Sequence, residues 1–380
     1  MYLAFQNSLI PVCEPVIGKE EIANVNEALR KGLISGSVKG SFLDAFEDGF
    51  SRYCGTKYGV ATTSGTTALH LAMASLGISQ GDEVIVPTFT NIATALCVIY
   101  VGAKPVFVDS DPDTWNINLN QMADSITSRT KAIIVVHTYG HPVDMDLISD
   151  ITKKKRIQVI EDAAEAHGAE YKGRKVGGIG DIGCFSFYTN KILTTGEGGM
   201  IVTNDLKIAE RARKLRNMAY NDSRRFMHDA IGFNYRMTNI QAAIGLAQLK
   251  KIEYFVDKKR MISKRYNSLL ADLKNIVLPI EKPYAKNVYW MYGVVLKKES
   301  KLTTTLIREK MIQENIETRD FFYPMHKQPI FIKKRIISSN VNLPISEWLG
   351  NNGFYIPSGI GLTENQIEKV ASSLHQCLEE

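Results

Sequence analysis

The segment that decides the fold is Phe185-Ser-Phe-Tyr-Thr-Asn-Lys191-Ile-Leu-Thr-Thr-Gly-Glu-Gly-Gly199, followed by the apolar run Met200-Ile-Val-Thr203. It places one lysine between an aromatic, strand-like run and a glycine-rich turn. On so short and rigid a segment the amine of Lys191 has little freedom to reach solvent. Such a lysine is suited to form a Schiff base with an aldehyde cofactor. Because most of the 46 lysines and arginines must be solvated surface charges, this interpretation depends on its surroundings.

A carboxylate that suits the same cofactor lies about thirty residues upstream. The run Ile157-Gln-Val-Ile-Glu-Asp162 indicates a buried strand that ends in two acids. An ionised aspartate at that place needs a cation, and the protonated pyridine nitrogen of pyridoxal phosphate (PLP) is such a cation. Taken alone, Asp162 could equally be a carboxylate that caps a helix.

A third segment, Ala61-Thr-Thr-Ser-Gly-Thr66-Thr-Ala-Leu-His70, supplies hydroxyls and a glycine just before a run of helix formers. Backbone N–H groups at a helix start attract an anion such as phosphate, and Gly65 lets the chain approach it closely. Ser186 is a further candidate donor. Thr63 or Ser64 could equally be an ordinary helix cap.

Short apolar runs alternate with helix-length segments, which predicts an α/β fold with a mostly parallel central sheet flanked by helices. Functional groups are then expected at the carboxyl ends of the strands. The predicted strands are 83–87, 105–109, 132–137, 158–160, 184–187 and 200–203. Helices are predicted at about 205–220, 237–265, 306–315 and 363–377. We expect a large PLP-binding domain over 15–250 and a smaller C-terminal α/β domain over 251–380, with residues 1–14 packing near it.

Composition excludes several functional classes. The 380 residues are 44% hydrophobic and 23% charged, which is ample for a large core. We expect a cytoplasmic protein without a membrane partner, since there is neither a membrane-length apolar run nor a signal-like start. The five cysteines are odd in number and lack CxxC spacing, so we expect free thiols and no metal site. The net charge of +6 is dispersed, which disfavours nucleic-acid binding.

One motif points to a different cofactor. Gly178-Ile-Gly-Asp-Ile-Gly183 matches the dinucleotide-binding fingerprint letter for letter. That fingerprint follows a strand and opens a helix, whereas this stretch follows a glycine-rich turn and leads into a predicted strand. A dinucleotide site is therefore not expected here.

Three separated segments thus suit three parts of one cofactor. On these and further motifs the chain resembles the DegT/DnrJ/EryC1/StrS family of PLP-dependent sugar aminotransferases, and within it most closely the members that aminate GDP-4-keto-6-deoxymannose. The motifs that carry the resemblance are Thr62–Thr66, Glu161–His167, Gly180–Gly199, Gly232–Gly245 and Glu317–His326.

The resemblance implies the aminotransferase fold of type I and roles for individual residues. Lys191 would form the Schiff base and move the proton, Asp162 would hold the pyridine nitrogen, and Glu165 would lie near the ring hydroxyl. The phosphate would be bound by Gly65, Thr66, Ser186 and, from the neighbouring subunit of a homodimer with shared active sites, Asn234.

The resemblance also implies substrate-binding residues. Arg236 is a candidate for the glutamate carboxylate, which its planar fork suits, although a structural ion pair is the alternative. The loop Ser35-Gly-Ser37, with Arg319 and His326, would neighbour the sugar. His326 could instead be a packed loop residue.

Two positions depart from the pattern of the family. Many relatives have an aromatic residue stacked on the cofactor ring where this chain has Asn91 in Pro87-Thr-Phe-Thr-Asn91. Either Phe89 takes over part of that role or the cofactor is held more loosely. Asp320 also follows Arg319 where a proline is usual, and this departure falls within the expected substrate loop.

The implied reaction moves an amino group from L-glutamate to a keto sugar for bacterial surface polysaccharides such as lipopolysaccharide O-antigen. The first expected acceptor is GDP-4-keto-6-deoxymannose, and a UDP- or dTDP-linked 4-keto-6-deoxyhexose is second. A nucleotide-free acid such as 8-oxo-Kdo is the alternative acceptor. A related PLP-dependent sugar 3-dehydratase would carry histidine in place of Lys191, and a PLP-binding regulator or scaffold without activity is a further alternative.

Overall fold

The computed structural model describes residues 9–36, 41–224 and 226–379. Ser37 and residues 1–8 of the predicted N-terminal segment lie outside the described residues. Within these ranges no helix is both long and apolar enough to cross a membrane. The described residues form thirteen α-helices: α1 Lys19–Arg30, α2 Phe42–Tyr53, α3 Gly65–Ser75, α4 Ile92–Tyr100, α5 Leu119–Asp124, α6 Met145–Lys155, α7 Leu206–Arg216, α8 Asn239–Leu249, α9 Ile252–Leu269, α10 Thr304–Gln313, α11 Pro329–Lys333, α12 Pro344–Asn352 and α13 Glu364–Glu379.

The strands form three sheets, of seven, four and three strands. The strands in the described residues are β1 Tyr58–Thr62, β2 Glu83–Pro87, β3 Lys104–Val108, β4 Thr130–Val136, β5 Gln158–Asp162, β6 Glu170–Tyr171, β7 Arg174–Lys175, β8 Ile182–Ser186, β9 Gly199–Thr203, β10 Ile276–Val277, β11 Ala285–Lys286, β12 Tyr292–Leu296, β13 Arg319–Asp320 and β14 Gly353–Ile356.

The central sheet has the order β1-β9-β8-β5-β4-β2-β3. Four neighbouring pairs are parallel, from β8 through β5, β4 and β2 to β3. β9 runs antiparallel to both β1 and β8, so it alone opposes the direction of the other strands of this sheet. The predicted α/β fold with a mostly parallel sheet is confirmed. All six predicted strands are present, and β1 is an additional one.

Helices cover both faces of the central sheet, which explains why its strands are apolar throughout. Along β4, Ile133 and Val135 face a core that includes residues of α2, α6 and α8. Ala132 and Ile134 face the opposite core, with residues of α3, α4 and α7. Successive side chains of a strand alternate between its faces, so a strand covered on both sides reads as a continuous apolar run.

A second sheet, of order β10-β12-β14-β13, is antiparallel and has its own core. Tyr292 and Phe354 lie in this core with α9, α10 and α13, and Ile10 joins it through a bridge to Ile316. α9 contributes side chains to this core and also to the core of the central sheet. The predicted domain boundary at residue 250 stays a prediction.

The helix predicted over 237–265 is wrong as a single element, because the structure has two helices, α8 and α9. A turn at Lys250 and Lys251 separates them. Buried Glu21 of α1 holds this turn, since it pairs with the Lys251 amine and accepts a hydrogen bond from Gln248 Nε2 at 2.7 Å. The local sequence has no glycine or proline to signal a break, which is imposed by a carboxylate more than two hundred positions away.

Candidate active site

The candidate cofactor residues lie where strands of the central sheet end. β1 leads into the start of α3 at Gly65, β5 ends at Asp162, and β8 ends at Ser186 shortly before Lys191. These three strands run in one direction, so their carboxyl ends share one edge of the sheet. The sheet therefore gathers three sequence segments that are far apart along the chain.

The edge contains a cradle at the first turn of α3. Ser64 is the N-cap, and its hydroxyl accepts a hydrogen bond from Thr67 N at 3.2 Å. A Cβ atom added to Gly65 would lie 2.6 Å from Cβ of Ser186, so only glycine lets the two segments meet. Thr66 follows, half-buried. A helix N-terminus flanked by hydroxyls, with no side chain at Gly65, suits a phosphate group.

Asp162 is buried at the end of β5 and forms no ion pair within the described residues, although the charge of the nearby Lys191 amine acts on it. Its Oδ2 accepts a hydrogen bond from Thr94 Oγ1 at 2.8 Å, and Oδ1 accepts one from Ala164 N at 3.2 Å. Burial raises the pKa of the Asp162 carboxyl, and these hydrogen bonds offset only part of that rise. The described chain continues from Asp162 through turns to β6 and no helix begins there, so the helix-cap interpretation is wrong. A buried carboxylate whose hydrogen bonds include no cationic donor fits a protonated pyridine nitrogen.

Lys191 lies in the loop after β8, half-buried, with its amine 3.6 Å from the ring centroid of Trp290. Burial lowers the pKa of the Lys191 amine, while the nearby carboxylates of Glu165 and Asp162 favour its charged form. An amine with a lowered pKa is more often neutral and nucleophilic. Its position is suited to Schiff-base chemistry.

Glu165 is buried next to this amine. Its Oε2 accepts a hydrogen bond from the backbone N–H of Tyr139 at 2.8 Å. Burial raises the pKa of Glu165 to about 7, against the opposing effect of Lys191. Tyr139 itself has φ 50°, in the left-handed region that a bulky residue rarely adopts. The strained turn after β4 therefore aims a backbone donor at a carboxyl group that can gain or lose a proton near neutral pH.

Glu161, the neighbour of Asp162, has a different environment. Its carboxylate accepts hydrogen bonds from the backbone N–H groups of Gly177, Ile179 and Gly180 at 2.7, 2.7 and 2.6 Å. It also lies 3.0 Å from His137 Nε2. These hydrogen bonds hold the pKa of Glu161 below its usual value in spite of burial. The glycine-rich stretch that matches the dinucleotide fingerprint thus wraps a carboxylate of its own chain.

Phe89 and Asn91, the two residues considered for the place beside the cofactor ring, both contact other parts of the protein. Phe89 is fully buried, with ring centroids of Tyr139, Phe321 and Phe322 at 6.1, 5.7 and 5.8 Å. Asn91 is the exposed N-cap of α4, and its Oδ1 accepts a hydrogen bond from the backbone N–H of the second residue after it, at 3.0 Å. The amide oxygen of Asn91 therefore has a structural use already.

Asn234 and Arg236 lie on a surface segment. Asn234 is exposed and forms an isolated β-bridge with Asn217. Arg236 Nη1 donates to Asn217 Oδ1 at 2.9 Å. In the part of the chain that the structure describes, Arg236 has this amide partner rather than the ion pair considered as its alternative role.

The three expected sugar neighbours differ in their exposure to solvent. Ser35 is exposed, and its carbonyl accepts a hydrogen bond from Asn239 Nδ2 at 2.5 Å. Arg319, on the edge strand β13, donates twice to Glu317 Oε1, at 3.1 and 3.0 Å. His326 is buried, and both ring nitrogens are engaged. Nδ1 lies 2.8 Å from Thr88 Oγ1, and Nε2 lies 3.0 Å from Oε1 of Glu347 in α12. This geometry fits the packed-loop interpretation of His326.

Four residues at the site were missed by the sequence interpretation. They are Thr94, Tyr139, His167 and Trp290. Thr94 had a signal, since it follows Thr90 by four positions just beyond β2, and the two hydroxyls lie 3.0 Å apart. His167 is buried among phenylalanines, and burial lowers its pKa to about 3. Trp290 lies about a hundred residues after Lys191 in the sequence, and no local pattern predicts that it contacts this loop.

Comparisons with known proteins identify the family of the chain. The sequence profile of the DegT/DnrJ/EryC1/StrS aminotransferase family matches residues 15–375. The chain is 41% identical over 367 residues to the GDP-perosamine synthase of Escherichia coli O157:H7, covering 97% of this chain and 98% of that protein. It is 44% identical over 373 residues to the GDP-perosamine synthase of Caulobacter vibrioides, covering 97% and 98%.

Solved structures show the same fold. DesV of Streptomyces venezuelae superposes with a TM-score of 0.88 at 33% identity, covering 95% of each chain. PseC of Helicobacter pylori, an aminotransferase of pseudoaminic acid biosynthesis, superposes with a TM-score of 0.91 at 26% identity, covering 98% of this chain and 99% of that one. The predicted aminotransferase fold and the predicted cofactor, PLP, are confirmed. The chain belongs to the DegT/DnrJ/EryC1/StrS aminotransferase family and is a PLP-dependent sugar aminotransferase.

Proposed function

We propose that the enzyme transfers the amino group of L-glutamate to the keto carbon of a nucleotide-linked 4-keto-6-deoxyhexose, with GDP-4-keto-6-deoxymannose as the first choice. Perosamine is a 4-amino sugar, so a GDP-perosamine synthase needs a 4-keto precursor. Three relatives with this name are 41, 44 and 35% identical to the chain. A relative named for a dTDP-linked sugar is 33% identical. The product would enter the synthesis of a surface polysaccharide.

The observation that carries the chemistry is the placement of the Lys191 amine beside two buried carboxyl groups, Glu165 and Asp162. Bound at this edge, PLP supplies an aldehyde that links to amines and a ring that accepts electrons. Lys191 would hold the cofactor covalently and, once released, would move a proton. Asp162 would keep the pyridine nitrogen protonated, and Glu165 would contact the ring hydroxyl.

The phosphate of the cofactor would lie in the cradle at the start of α3. Gly65 and Thr66 would offer backbone N–H groups from the first turn, where the helix dipole favours an anion. The Ser186 hydroxyl lies close enough to Gly65 to donate to the same group. Asn91 and Phe89 would border the cofactor ring, with less stacking than an aromatic residue at position 91 would give.

A homodimer with shared active sites is part of the proposal. Its support is the exposed segment around Asn234, where two apolar side chains, Phe226 and Ile231, are 74% and 89% exposed. With Met227, which is 47% exposed, they cluster on one segment, and clustered apolar surface marks sites where another protein binds. In the dimer Asn234 would reach the phosphate in the partner subunit. Arg236 would bind the carboxylate of glutamate, because its fork matches that group.

The acceptor sugar would be bound mainly by groups that are still accessible. Ser35 and Arg319 are exposed and are proposed to line the part of the site that binds the sugar. His326 has both ring nitrogens engaged, so its contribution would be to fix the loop that carries Arg319. The ion pair of Asp320 with Arg308 orders the same loop in place of the usual proline.

The alternative reactions are separated by chemistry and by assay. A 3-dehydratase of this family would lack the lysine, so Lys191 favours amino transfer. A nucleotide-free acceptor such as 8-oxo-Kdo differs from the first choice in the absence of the nucleotide. A panel of acceptors with and without a nucleotide therefore distinguishes the remaining possibilities.

The first experiment is an absorbance spectrum of the purified protein, supplied with PLP, before and after addition of L-glutamate. We expect the visible band of lysine-bound cofactor, and we expect glutamate to remove it. The aminated cofactor form is then offered GDP-4-keto-6-deoxymannose, a dTDP- or UDP-linked keto sugar and 8-oxo-Kdo, and return of the band identifies the acceptor. A band that ignores glutamate would contradict the proposed donor, and return with 8-oxo-Kdo alone would contradict the proposed acceptor.

A further inference from the structure

Trp290 lies directly against the reactive amine. The tryptophan is 4% exposed, and Lys191 Nζ lies 3.6 Å from the centroid of its ring. Cations within about 6 Å of a ring centroid are attracted by the negative face of the ring, and tryptophan gives the strongest such interaction. The contact therefore favours the protonated form of the amine at one defined place.

The indole ring is held on two sides. Its Nε1 donates to the carbonyl oxygen of Asn190, the residue before Lys191, at 2.7 Å. The backbone N–H of Trp290 donates to the carbonyl oxygen of Tyr139 at 2.9 Å, and the N–H of Tyr139 in turn holds Glu165. The ring, the lysine loop and the glutamate are thus connected through backbone groups, which move less than side chains.

Transamination makes a particular demand on this lysine. Its amine must leave the cofactor when the amino donor takes its place, carry a proton, and later return. Burial opposes the protonated form of the amine. The titratable groups that act on it are Asp162 at the end of β5, Glu165 and His167 in the segment that follows β5, and the Cys13 thiol of the N-terminal segment. The indole face adds an attraction that involves no proton of its own.

We propose that Trp290 is a positioning residue that holds the freed, protonated amine of Lys191 between the two halves of the reaction. This inference rests on the proposed role of Lys191 as the cofactor lysine. The ring would add to the attraction of Glu165 and Asp162 without adding another charge. A further carboxylate beside the amine would hold the ammonium more tightly and slow its return.

The test measures how fast the cofactor-free protein captures added PLP through Lys191 over a range of pH. Only the neutral amine attacks the aldehyde, so the pH at half-maximal rate reports the protonation of the amine. Trp290→Leu keeps the surroundings apolar but removes the aromatic face. Without that attraction the amine loses its proton more readily, and we expect the midpoint to fall by about one pH unit. Trp290→Phe retains a smaller face and should give an intermediate shift.

Trp348 offers a matched control. Its indole N–H also donates to a backbone carbonyl oxygen, that of Leu296 at 3.0 Å, and the amine of Lys298 lies 5.7 Å from its ring centroid. Trp348→Leu should leave the midpoint unchanged. Circular dichroism identifies variants that fold, and if Trp290→Leu does not fold, Trp290→Phe decides.

Two outcomes would be adverse, and they are distinguishable. If folded Trp290 variants capture PLP with the wild-type midpoint, the positioning role is overturned while the proposed function stands. If the wild-type protein never forms the band of lysine-bound cofactor, the proposed role of Lys191 is overturned, and the inference falls with it. A graded shift in the order Leu, Phe, Trp supports both.

Discussion

Glu161 and Asp162 are neighbours at the end of β5, yet the pKa values of their carboxyl groups are shifted in opposite directions on the two faces of the strand. On one face Glu161 receives three backbone hydrogen bonds and lies 3.0 Å from His137 Nε2, and its pKa is lowered. On the other face Asp162 has a hydroxyl and one backbone N–H, and its pKa is raised. Both are buried, so burial does not separate them.

The difference lies in how completely each charge is compensated. A carboxylate with enough donors is a structural part of the fold, because no further partner is needed. A buried carboxylate that lacks donors remains costly to ionise until a cation arrives. Perturbed groups of the second kind mark functional sites. From this comparison we expect Glu161 to stabilise the fold and Asp162 to serve the cofactor.

The largest expected effect on turnover comes from removing the amine of Lys191, which lies on the same side of β5 as Asp162. Lys191→Ala should reduce amino transfer by at least about 10³-fold while PLP still binds noncovalently, because both the covalent link and the proton carrier are lost. A coupled glutamate assay and the loss of the visible band measure this. Lys298→Ala, an exposed lysine also beside a tryptophan, is the control and should leave turnover unchanged. Near-normal turnover of Lys191→Ala would contradict the assignment.

Asp162→Asn tests the carboxylate on the same face. The amide keeps the shape and can still accept from Thr94, but it cannot keep a pyridine nitrogen protonated. We expect turnover to fall by about 10²-fold and PLP affinity to weaken. Urea unfolding of the cofactor-free protein should show no loss of stability, since an uncompensated buried charge has been removed. A loss of stability without a loss of turnover would reverse the comparison.

Glu161→Gln, on the other face of β5, should reduce stability more than turnover. The new amide N–H₂ would point at backbone donors, and several of them would lose their acceptor. We expect the free energy of unfolding to fall by about 2–4 kcal/mol, measured by urea at neutral pH. Turnover per folded molecule should change less than in Asp162→Asn. If Glu161→Gln is as stable as the wild type, the hydrogen bonds do not have the structural role assigned to them.

The smallest effect concerns Glu165 and pH. Its pKa is raised by burial to about 7 from 4.5. Between these values the folded protein binds more protons than the unfolded chain, so stability decreases as pH rises through this window. In the cofactor-free protein Glu165→Gln should flatten that decrease, by at most a few kcal/mol. Unfolding curves of both proteins from pH 5 to 8 check this, and parallel curves would show that burial does not raise this pKa.

The parts of the site that sequence predicts are those fixed by strand ends. Apolar runs locate β2, β3, β4, β5, β8 and β9, and parallel packing brings the carboxyl ends of all of these except β9 to one edge. Asp162, Ser186 and Lys191 follow from that rule, and Gly65 follows from the start of a helix. Each of these signals is contained within about ten residues of chain.

The rest depends on contacts between distant segments. Glu21 stabilises the break between α8 and α9. The left-handed residue Tyr139 accepts a hydrogen bond from the backbone of Trp290, which lies just before β12 and also contacts the loop of Lys191. His326 shows the same limit, because only the structure reveals that both of its ring nitrogens have partners. Local pattern carries no information about such partners.

The glycine-rich turn around Glu161 has a consequence for the enzyme without its cofactor. Val143 N donates to His137 Nδ1 at 3.1 Å, so the ring proton lies on Nε2 and points at the Glu161 carboxylate. The turn, the histidine and the strand are therefore assembled around an internal anion during folding. We expect this part of the fold to persist when PLP dissociates, so that the empty enzyme stays able to bind the cofactor again.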